Sequence, residues 1–106
     1  MITVLARFEM IKGKEDEALG ALTKMAGAVK ANEPGALIYT VTRGQVNPLE
    51  IYIYEVYKDR ESFEANRKTE HMRQMQSAFD DSLSRDSFNI EVLEEAVGFV
   101  RPEAVH

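Results

Sequence analysis

Hydrophobic positions near the start of the chain repeat every second residue. In the segment 2–10 one face is entirely apolar, with Ile2, Val4, Ala6 and Phe8. A period of two predicts a strand whose one face is buried. From residue 14 to residue 30 the spacing becomes helical, through Ala18, Leu22, Met25 and Val29. We therefore predict a strand followed by an amphipathic helix.

The motif NEPG at residues 32–35 ends this helix, because Pro34 disfavours helical backbone at Glu33 and Gly35 permits a turn. The segments 36–44 and 49–57 then predict two strands joined by a hairpin. The third strand is apolar on both faces: Leu49, Ile51 and Ile53 alternate with Tyr52, Tyr54 and Val56. A strand of this kind indicates a sheet that is covered on both sides.

Residues 59–83 predict a second helical region, interrupted near Arg67, with Asp59 as its N-cap. Its apolar stripe is formed by Met72, Met75, Phe79 and Leu83. Successive helical residues are about 100° apart, so His71 is expected at the edge of this stripe. Residues 87–99 predict a fourth strand with Phe88, Ile90 and Val92 on one face.

The order β-α-β-β-α-β is the ferredoxin-like arrangement, an α+β fold with an antiparallel sheet. We predict one domain at residues 1–99 and a tail at residues 100–106. The two helical regions cover only one face of the sheet. The opposite face carries Leu5, Leu93 and one set of third-strand side chains. A second copy of the chain is the simplest cover, so we predict a homodimer.

Composition narrows the classes of partner and chemistry. The 106-residue chain carries a net charge of -5, which disfavours nucleic acid as a partner. No apolar run approaches the roughly 20 residues of a membrane span, and no signal peptide is evident, so a cytoplasmic protein is expected. The absence of cysteine excludes disulfides and thiolate chemistry. Neither a metal-binding spacing nor a glycine-rich phosphate loop is present. Of the two histidines, His71 and His106, only His71 lies within a predicted element.

Four segments together resemble the antibiotic biosynthesis monooxygenase (ABM) domain family: VLARFEMIKGKEDE, NEPGALIYTVTR, YIYEVYKDRESFEA and TEHM. The most specific part is the ordered combination of Glu33-Pro34-Gly35, Tyr54-Glu55 and His71. This resemblance implies a dimeric α+β barrel, in which two sheets pack face to face with the helices outside. It also implies a ligand pocket within each subunit, between the sheet and the helices.

The branches of this family differ in chemistry. Some members resemble quinol or anthrone monooxygenases that need no metal or organic cofactor, some degrade haem, and one branch isomerises a phosphorylated sugar. The haem branch places asparagine, tryptophan and histidine where this chain has Ala6, Asn66 and Gln76. We therefore expect no haem, and the absence of a dinucleotide-binding loop predicts no flavin. Quinol-oxidising and isomerase-like members often carry two histidines, and here Asn66 and His71 occupy those positions.

Cofactor-free oxygenation begins with the loss of a proton from a phenol or hydroquinone, whose anion can then reduce oxygen. We predict His71 as the base and Asn66 as the donor that holds the substrate oxygen. Five residues are predicted to contact a small aromatic ligand: Tyr54, Tyr57, Met72, Met75 and Phe79.

Each of these residues also has a structural interpretation. His71 can be a solvated helix residue, Asn66 a cap for the segment beginning near Lys68, and the apolar stripe simply core. Glu55 is expected to pair with Arg7 or Arg43 across the sheet. The functional prediction is thus a cofactor-free monooxygenase. The alternatives are a non-catalytic dimeric module that binds a small metabolite and an isomerase of the same family.

Overall fold

A computed structural model of the protein describes residues 1–101. The end of the predicted tail, residues 102–106 with His106, lies outside the described residues. The elements are β1 (Ile2–Met10), α1 (Glu15–Asn32), β2 (Ala36–Arg43), β3 (Glu50–Tyr57), α2 (Arg60–Arg67), α3 (Glu70–Phe79) and β4 (Leu83–Leu93). The predicted β-α-β-β-α-β order is confirmed, with the second helical region divided into α2 and α3.

The sheet has the strand order β2-β3-β1-β4, and every neighbouring pair is antiparallel. Within residues 1–101 it is open, with β2 and β4 as its edges. On its inner face, towards the helices, Ala6 lies between Ile53 of β3 and Ile90 of β4. The predicted inner residues Val4, Ala6 and Phe8 are all buried. The ferredoxin-like α+β fold is therefore confirmed.

Helix α1 covers the inner face with the stripe that its spacing predicts. Ala18, Leu22, Met25 and Val29 are its buried residues. Burying a side chain the size of Leu, Met or Val contributes roughly 1.5–3 kcal/mol. Its first turn is acidic at residues 15–17, where the helix dipole favours negative charge. No helix within residues 1–101 has the length and hydrophobicity to span a membrane.

Two side-chain caps set the boundaries of α2 and α3. Asp59 Oδ1 accepts from the Ser62 amide at 2.8 Å, which confirms Asp59 as N-cap. Thr69 Oγ1 accepts from the Met72 amide at 3.2 Å, so a new helix starts after the break. The alternative interpretation of Asn66 as the cap of this segment is wrong, because Thr69 supplies the cap and the Asn66 side chain donates to Glu33.

The placement of Leu83 in the second helical region is also wrong. Helix α3 ends at Phe79, and Leu83 begins β4, where it pairs with Met10. Its side chain is buried in the same core as Met75 and Phe79. Its apolar character therefore reflects burial in a strand, which periodicity alone did not separate from burial in a helix.

The outer face of the sheet, away from the helices, keeps the surplus of apolar residues that the sequence predicts. Leu5 lies opposite Tyr54, and Thr3 lies opposite Leu93. The side chains of Tyr54 and Leu93 are 43% and 40% exposed. This outer face is covered by no helix of the same chain.

Gly35 allows β2 to begin directly against α2. Its carbonyl oxygen accepts from the Lys58 amide at 2.9 Å. A Cβ atom at Gly35 would lie 2.2 Å from Ser62 Oγ and 2.7 Å from Ser62 Cβ. The close approach holds Glu33, two residues earlier, beside the α2–α3 corner.

We expect Gly35→Ala to destabilise the fold by about 1–3 kcal/mol, the usual range for overpacking. The matched control is Gly20→Ala in α1, where an added Cβ meets nothing within 4 Å. That change should stabilise by roughly 0.4–1 kcal/mol through the unfolded chain. Urea denaturation measures both, and equal stabilities for the two variants would contradict the role given to Gly35.

Candidate functional site

A cavity of about 250 Å³ lies between the inner face of the sheet and helices α2 and α3. Much of its wall is aromatic. Phe8 lies 5.2 Å from Phe79 and stacks on Phe88 at 5.9 Å, measured between ring centroids. Phe88 and Ile90 of edge strand β4 are 48% and 44% exposed. The cavity therefore reaches the surface beside β4.

One end of the cavity is polar, with Glu55 from β3, Tyr39 from β2 and Asn66 from α2. Glu55 is only 8% exposed. Tyr57 Oη donates to Glu55 Oε1 at 2.5 Å. Burial raises the pKa of Glu55, the Tyr57 hydrogen bond partly offsets this, and the charge of Glu33 adds to it.

The two tyrosines at this end hold their protons firmly. Burial raises the pKa of Tyr39, and the charges of Glu55 and Glu33 raise it further. Burial also raises the pKa of Tyr57, to which Glu55 adds through charge and hydrogen bond. Both phenols are therefore donors at neutral pH, so Tyr57 can keep its hydrogen bond to an ionised Glu55.

Behind the cavity wall, one carboxylate oxygen binds two side chains. Asn66 Nδ2 donates to Glu33 Oε2 at 3.1 Å, and His71 Nε2 lies 2.5 Å from the same oxygen. An ionised carboxylate has no proton to donate, so Nε2–H is the donor in this pair. The His71 and Glu33 side chains are 16% and 11% exposed, and Asn66 is 2% exposed. This Asn66–Glu33–His71 network joins the end of α1 to both helices that cover the cavity.

The predicted site residues fall into two groups. Asn66, Met72, Met75 and Phe79 line the cavity. His71, the predicted base, is not among the residues that line this cavity. Its imidazole instead contacts the Glu33 carboxylate, which also accepts a hydrogen bond from Asn66.

The two predicted tyrosines do not contact the cavity directly. Tyr54 lies on the outer face, because its register partner is Leu5. Tyr57 faces inward but is fully buried, and its ring packs against Phe63 at 5.7 Å. Tyr57 is connected to the cavity through Glu55 and Phe63, which both line it. Neither Tyr54 nor Tyr57 is therefore placed to contact a ligand in the cavity directly.

The expected ion pair of Glu55 with Arg7 or Arg43 is wrong. Arg7 pairs with Glu50 on the outer face, and Arg43 Nε donates to the Pro48 carbonyl at 2.6 Å. Glu55 lies opposite Val4 on the inner face. The signal was present in the sequence, since Ile51, Ile53, Glu55 and Tyr57 share one parity of β3. A carboxylate on an otherwise apolar face marks a candidate site.

Several further cavity residues were not predicted as site residues, among them two polar residues on α2 and α3. Arg67 and Gln76 line it, and the Arg67 guanidinium lies 5.7 Å from the centre of the Phe63 ring. Within residues 1–101 no group of three or more side chains is arranged to hold a metal ion.

The profile of the antibiotic biosynthesis monooxygenase family matches residues 1–78. The chain belongs to this family. The matched region includes Glu33, Glu55, Asn66 and His71 and stops before β4. The resemblance inferred from the sequence motifs is thereby confirmed. A search of curated proteins gave no match.

Solved structures of other proteins share this fold. A Caulobacter crescentus protein, provisionally named an antibiotic biosynthesis monooxygenase, has a TM-score of 0.85 at 25% identity, covering 91% of this chain and 90% of that one. A conserved Methanosarcina mazei protein has a TM-score of 0.82 at 19% identity, with coverages of 90% and 92%. A Pseudomonas aeruginosa protein has a TM-score of 0.80 at 20% identity, with coverages of 91% and 94%. The latter two show the fold alone.

The Asn66–Glu33–His71 network predicts that a negative charge at position 66 strongly lowers the stability of the fold. Asn66→Asp removes a buried donor and places a second carboxylate beside Glu33. We expect a loss of roughly 3–5 kcal/mol of unfolding free energy near pH 7. The pKa of such a buried acid is raised on folding, so the loss should shrink as pH falls towards about 4.

Urea denaturation at both pH values measures this change. Gln76→Glu, the same neutral-to-acid change at an exposed position of α3, should stay within about 0.5 kcal/mol. Equal losses at positions 66 and 76 would contradict the network.

Proposed function

We propose that the protein is a monooxygenase that oxidises a small phenolic or quinol-like compound with molecular oxygen, without a metal or organic cofactor. The observation that carries this proposal is the apolar, aromatic-walled cavity with a buried carboxylate and amide at one end. Removal of a hydroxyl proton would make the ring electron-rich enough to reduce oxygen. The apolar walls would shield the intermediates from water.

The size of the cavity supports a small substrate. Ligand pockets commonly occupy roughly 300–1,000 Å³, and this one, at about 250 Å³, is near the lower limit. That volume suits a compound of one or two rings. Met72, Met75 and Phe79 would contact the ring, and aromatic neighbours favour tilted or offset stacking.

Asn66 is the proposed contact for the substrate oxygen, because it is a buried side chain at the polar end of the wall. Its amide is oriented by Glu33, which is itself held by His71. We therefore propose that His71 acts through Glu33 and Asn66 as a positioning residue. A direct role as base would need the other ring nitrogen, Nδ1, because Nε2 is bonded to Glu33.

The charges at the cavity argue against the isomerase alternative. A phosphorylated sugar needs cationic or amide donors for its phosphate group. Among the described residues the cavity wall contains one cation, Arg67, which is stacked on Phe63, and it also contains the carboxylate of Glu55. A neutral hydroxyl-bearing ring fits this wall better than a phosphate. The same wall would serve a non-catalytic binding module, and only turnover separates that alternative.

The test is oxygen consumption with a panel of small hydroquinones and naphthols, with a metal chelator present. We expect oxygen uptake that requires the protein, survives the chelator and yields a quinone product. Boiled protein and protein-free autoxidation are the controls. Saturable binding of the same compounds without oxygen uptake would contradict a monooxygenase and favour the binding module.

His71 is tested by two substitutions with different donor properties. His71→Ala removes the donor to Glu33 and should lower kcat by up to about 100-fold, the effect of a misplacement near 1 Å. His71→Gln can still donate to Glu33 and should recover most of this loss. A titrating base would instead be lost equally in both variants, and the pH profile of kcat would change in both. Equal losses would therefore contradict the positioning role.

We further propose that two copies of the chain pack their outer faces together. Residues 94–100 run beside this face and leave a cavity of about 670 Å³ lined by Tyr54, Val56 and Leu93. Val97 and Phe99 in that segment are 94% and 78% exposed. Exposed apolar surface of this extent is typical of an interface. A permanent dimer of this kind commonly buries roughly 2,000 Å² or more.

Sedimentation velocity should show a dimer at micromolar concentration. Leu93→Arg should shift the protein towards monomer, since it places a charge in the interface. Thr23→Arg, on the exposed side of α1, is the matched control and should leave the dimer intact. A stable wild-type monomer would contradict the proposed assembly.

A further inference from the structure

The cavity contains a buried carboxylate that no cation neutralises. No salt bridge within residues 1–101 involves Glu55, and its one side-chain partner is the Tyr57 hydroxyl. A buried ionised carboxylate without a cation destabilises a fold unless hydrogen bonds satisfy it. Its position on the cavity wall makes it available to a ligand.

We propose that Glu55 is the residue that accepts the proton from the substrate hydroxyl. This inference rests on the proposed function and names its catalytic base. In the step, the substrate O–H bond breaks and a new O–H bond forms on the Glu55 carboxylate. The electron pair remains on the substrate oxygen, so the negative charge passes from Glu55 to the substrate. No electron leaves the substrate in this step, and its oxidation by oxygen follows.

The groups around Glu55 suit a catalytic base. Tyr57 fixes one carboxylate oxygen from the same strand. Tyr39 of β2, opposite Glu55, contributes a neutral phenol, and Glu33 at the end of α1 contributes a negative charge. Val4 of β1, on the other side of Glu55, is apolar. Arg67 of α2 lines the same cavity but forms no salt bridge with Glu55. Burial raises the pKa of Glu55, which makes its carboxylate a stronger base than a solvated one.

The chain provides a matched control on the same strand. Glu50 accepts a hydrogen bond from Tyr52 Oη at 3.0 Å, two residues away, as Glu55 does from Tyr57. Glu50 lies on the outer face, where its hydrogen bond with Arg7 lowers its pKa. The two glutamates thus share local geometry and differ in face, charge partner and direction of pKa shift.

Stability against pH tests whether Glu55 is a buried acid. The pKa of Glu55 is higher in the folded state than in the unfolded state. Its contribution to the free energy of unfolding is therefore most favourable at low pH and is lost as the pH rises through the folded-state pKa. The stability of Glu55→Gln relative to wild type should therefore be higher near pH 7 than near pH 4. Glu50→Gln should show the opposite dependence, since the pKa of Glu50 is lowered. The same pH dependence of stability in both variants would overturn the assignment of Glu55 as a buried acid whose pKa is raised.

Binding of phenol itself tests the contact with a ligand hydroxyl without requiring turnover. An ionised carboxylate accepts a stronger hydrogen bond than a neutral carboxyl group. Phenol affinity for wild type should rise with pH across the Glu55 titration, and for Glu55→Gln it should stay level. Toluene, which has no hydroxyl group, should not bind more tightly as pH rises. Identical pH dependence of phenol binding in wild type and Glu55→Gln would overturn the inference, as would failure of phenol to bind wild type.

Turnover completes the test with any hydroquinone that wild type oxidises. Glu55→Gln should lower kcat by about 10²–10⁴-fold, the range for loss of a general base. Tyr57→Phe should alter the pH profile, whereas the control Tyr52→Phe should not. Unchanged turnover in Glu55→Gln would overturn Glu55 as base while leaving the monooxygenase proposal intact. Absence of wild-type turnover would remove the proposed function, and the phenol-binding result would still decide whether Glu55 receives a ligand hydroxyl.

Discussion

The register of β3 against β1 is the constraint on which the rest of the molecule depends. Because side chains alternate, a slip of one residue would exchange the two faces of β3 completely. In the observed register, Glu55 faces the helices and Tyr54 faces away. One strand thereby supplies the core, the polar end of the cavity and part of the proposed interface.

A second constraint comes from Glu33, which binds side chains from both α2 and α3. The break between those helices needs an anchor, since each is short and would be marginal alone. Gly35 brings the chain close enough for Glu33 to provide it. The EPG motif therefore combines a turn with the placement of a carboxylate, and stability and site geometry are coupled through the same residues.

Much of the fold could be predicted from periodicity, as the α1 stripe and the two-sided β3 illustrate. The N-cap at Asp59 and the approximate break after α2 could also be predicted from the chemistry of the local residues. Leu83 was misassigned because an apolar residue after a helical stripe has the same pattern in a helix or a buried strand. Family resemblance located Asn66 and His71, yet neither resemblance nor periodicity could show that the His71 ring contacts Glu33. That contact joins residues 38 positions apart and exists only after packing.

Glu55 illustrates the opposite case, in which the information was available and was misinterpreted. Its parity with Ile51 and Ile53 places it on the inner face, whereas Arg7 lies on the outer face and Arg43 lies opposite Ile51, four residues from Glu55 along β3. An acidic residue on an otherwise apolar face of a strand predicts a buried carboxyl group before it predicts an ion pair.

The family profile ends at residue 78, and the exposed wall of the cavity is supplied later, by Phe88 and Ile90 on β4. The polar end and the entrance are therefore encoded by separate stretches of the chain. An edge strand has a free side and tolerates change more readily than a central one. Variation confined to β4 could alter which compounds enter while leaving the acid, amide and imidazole groups in place.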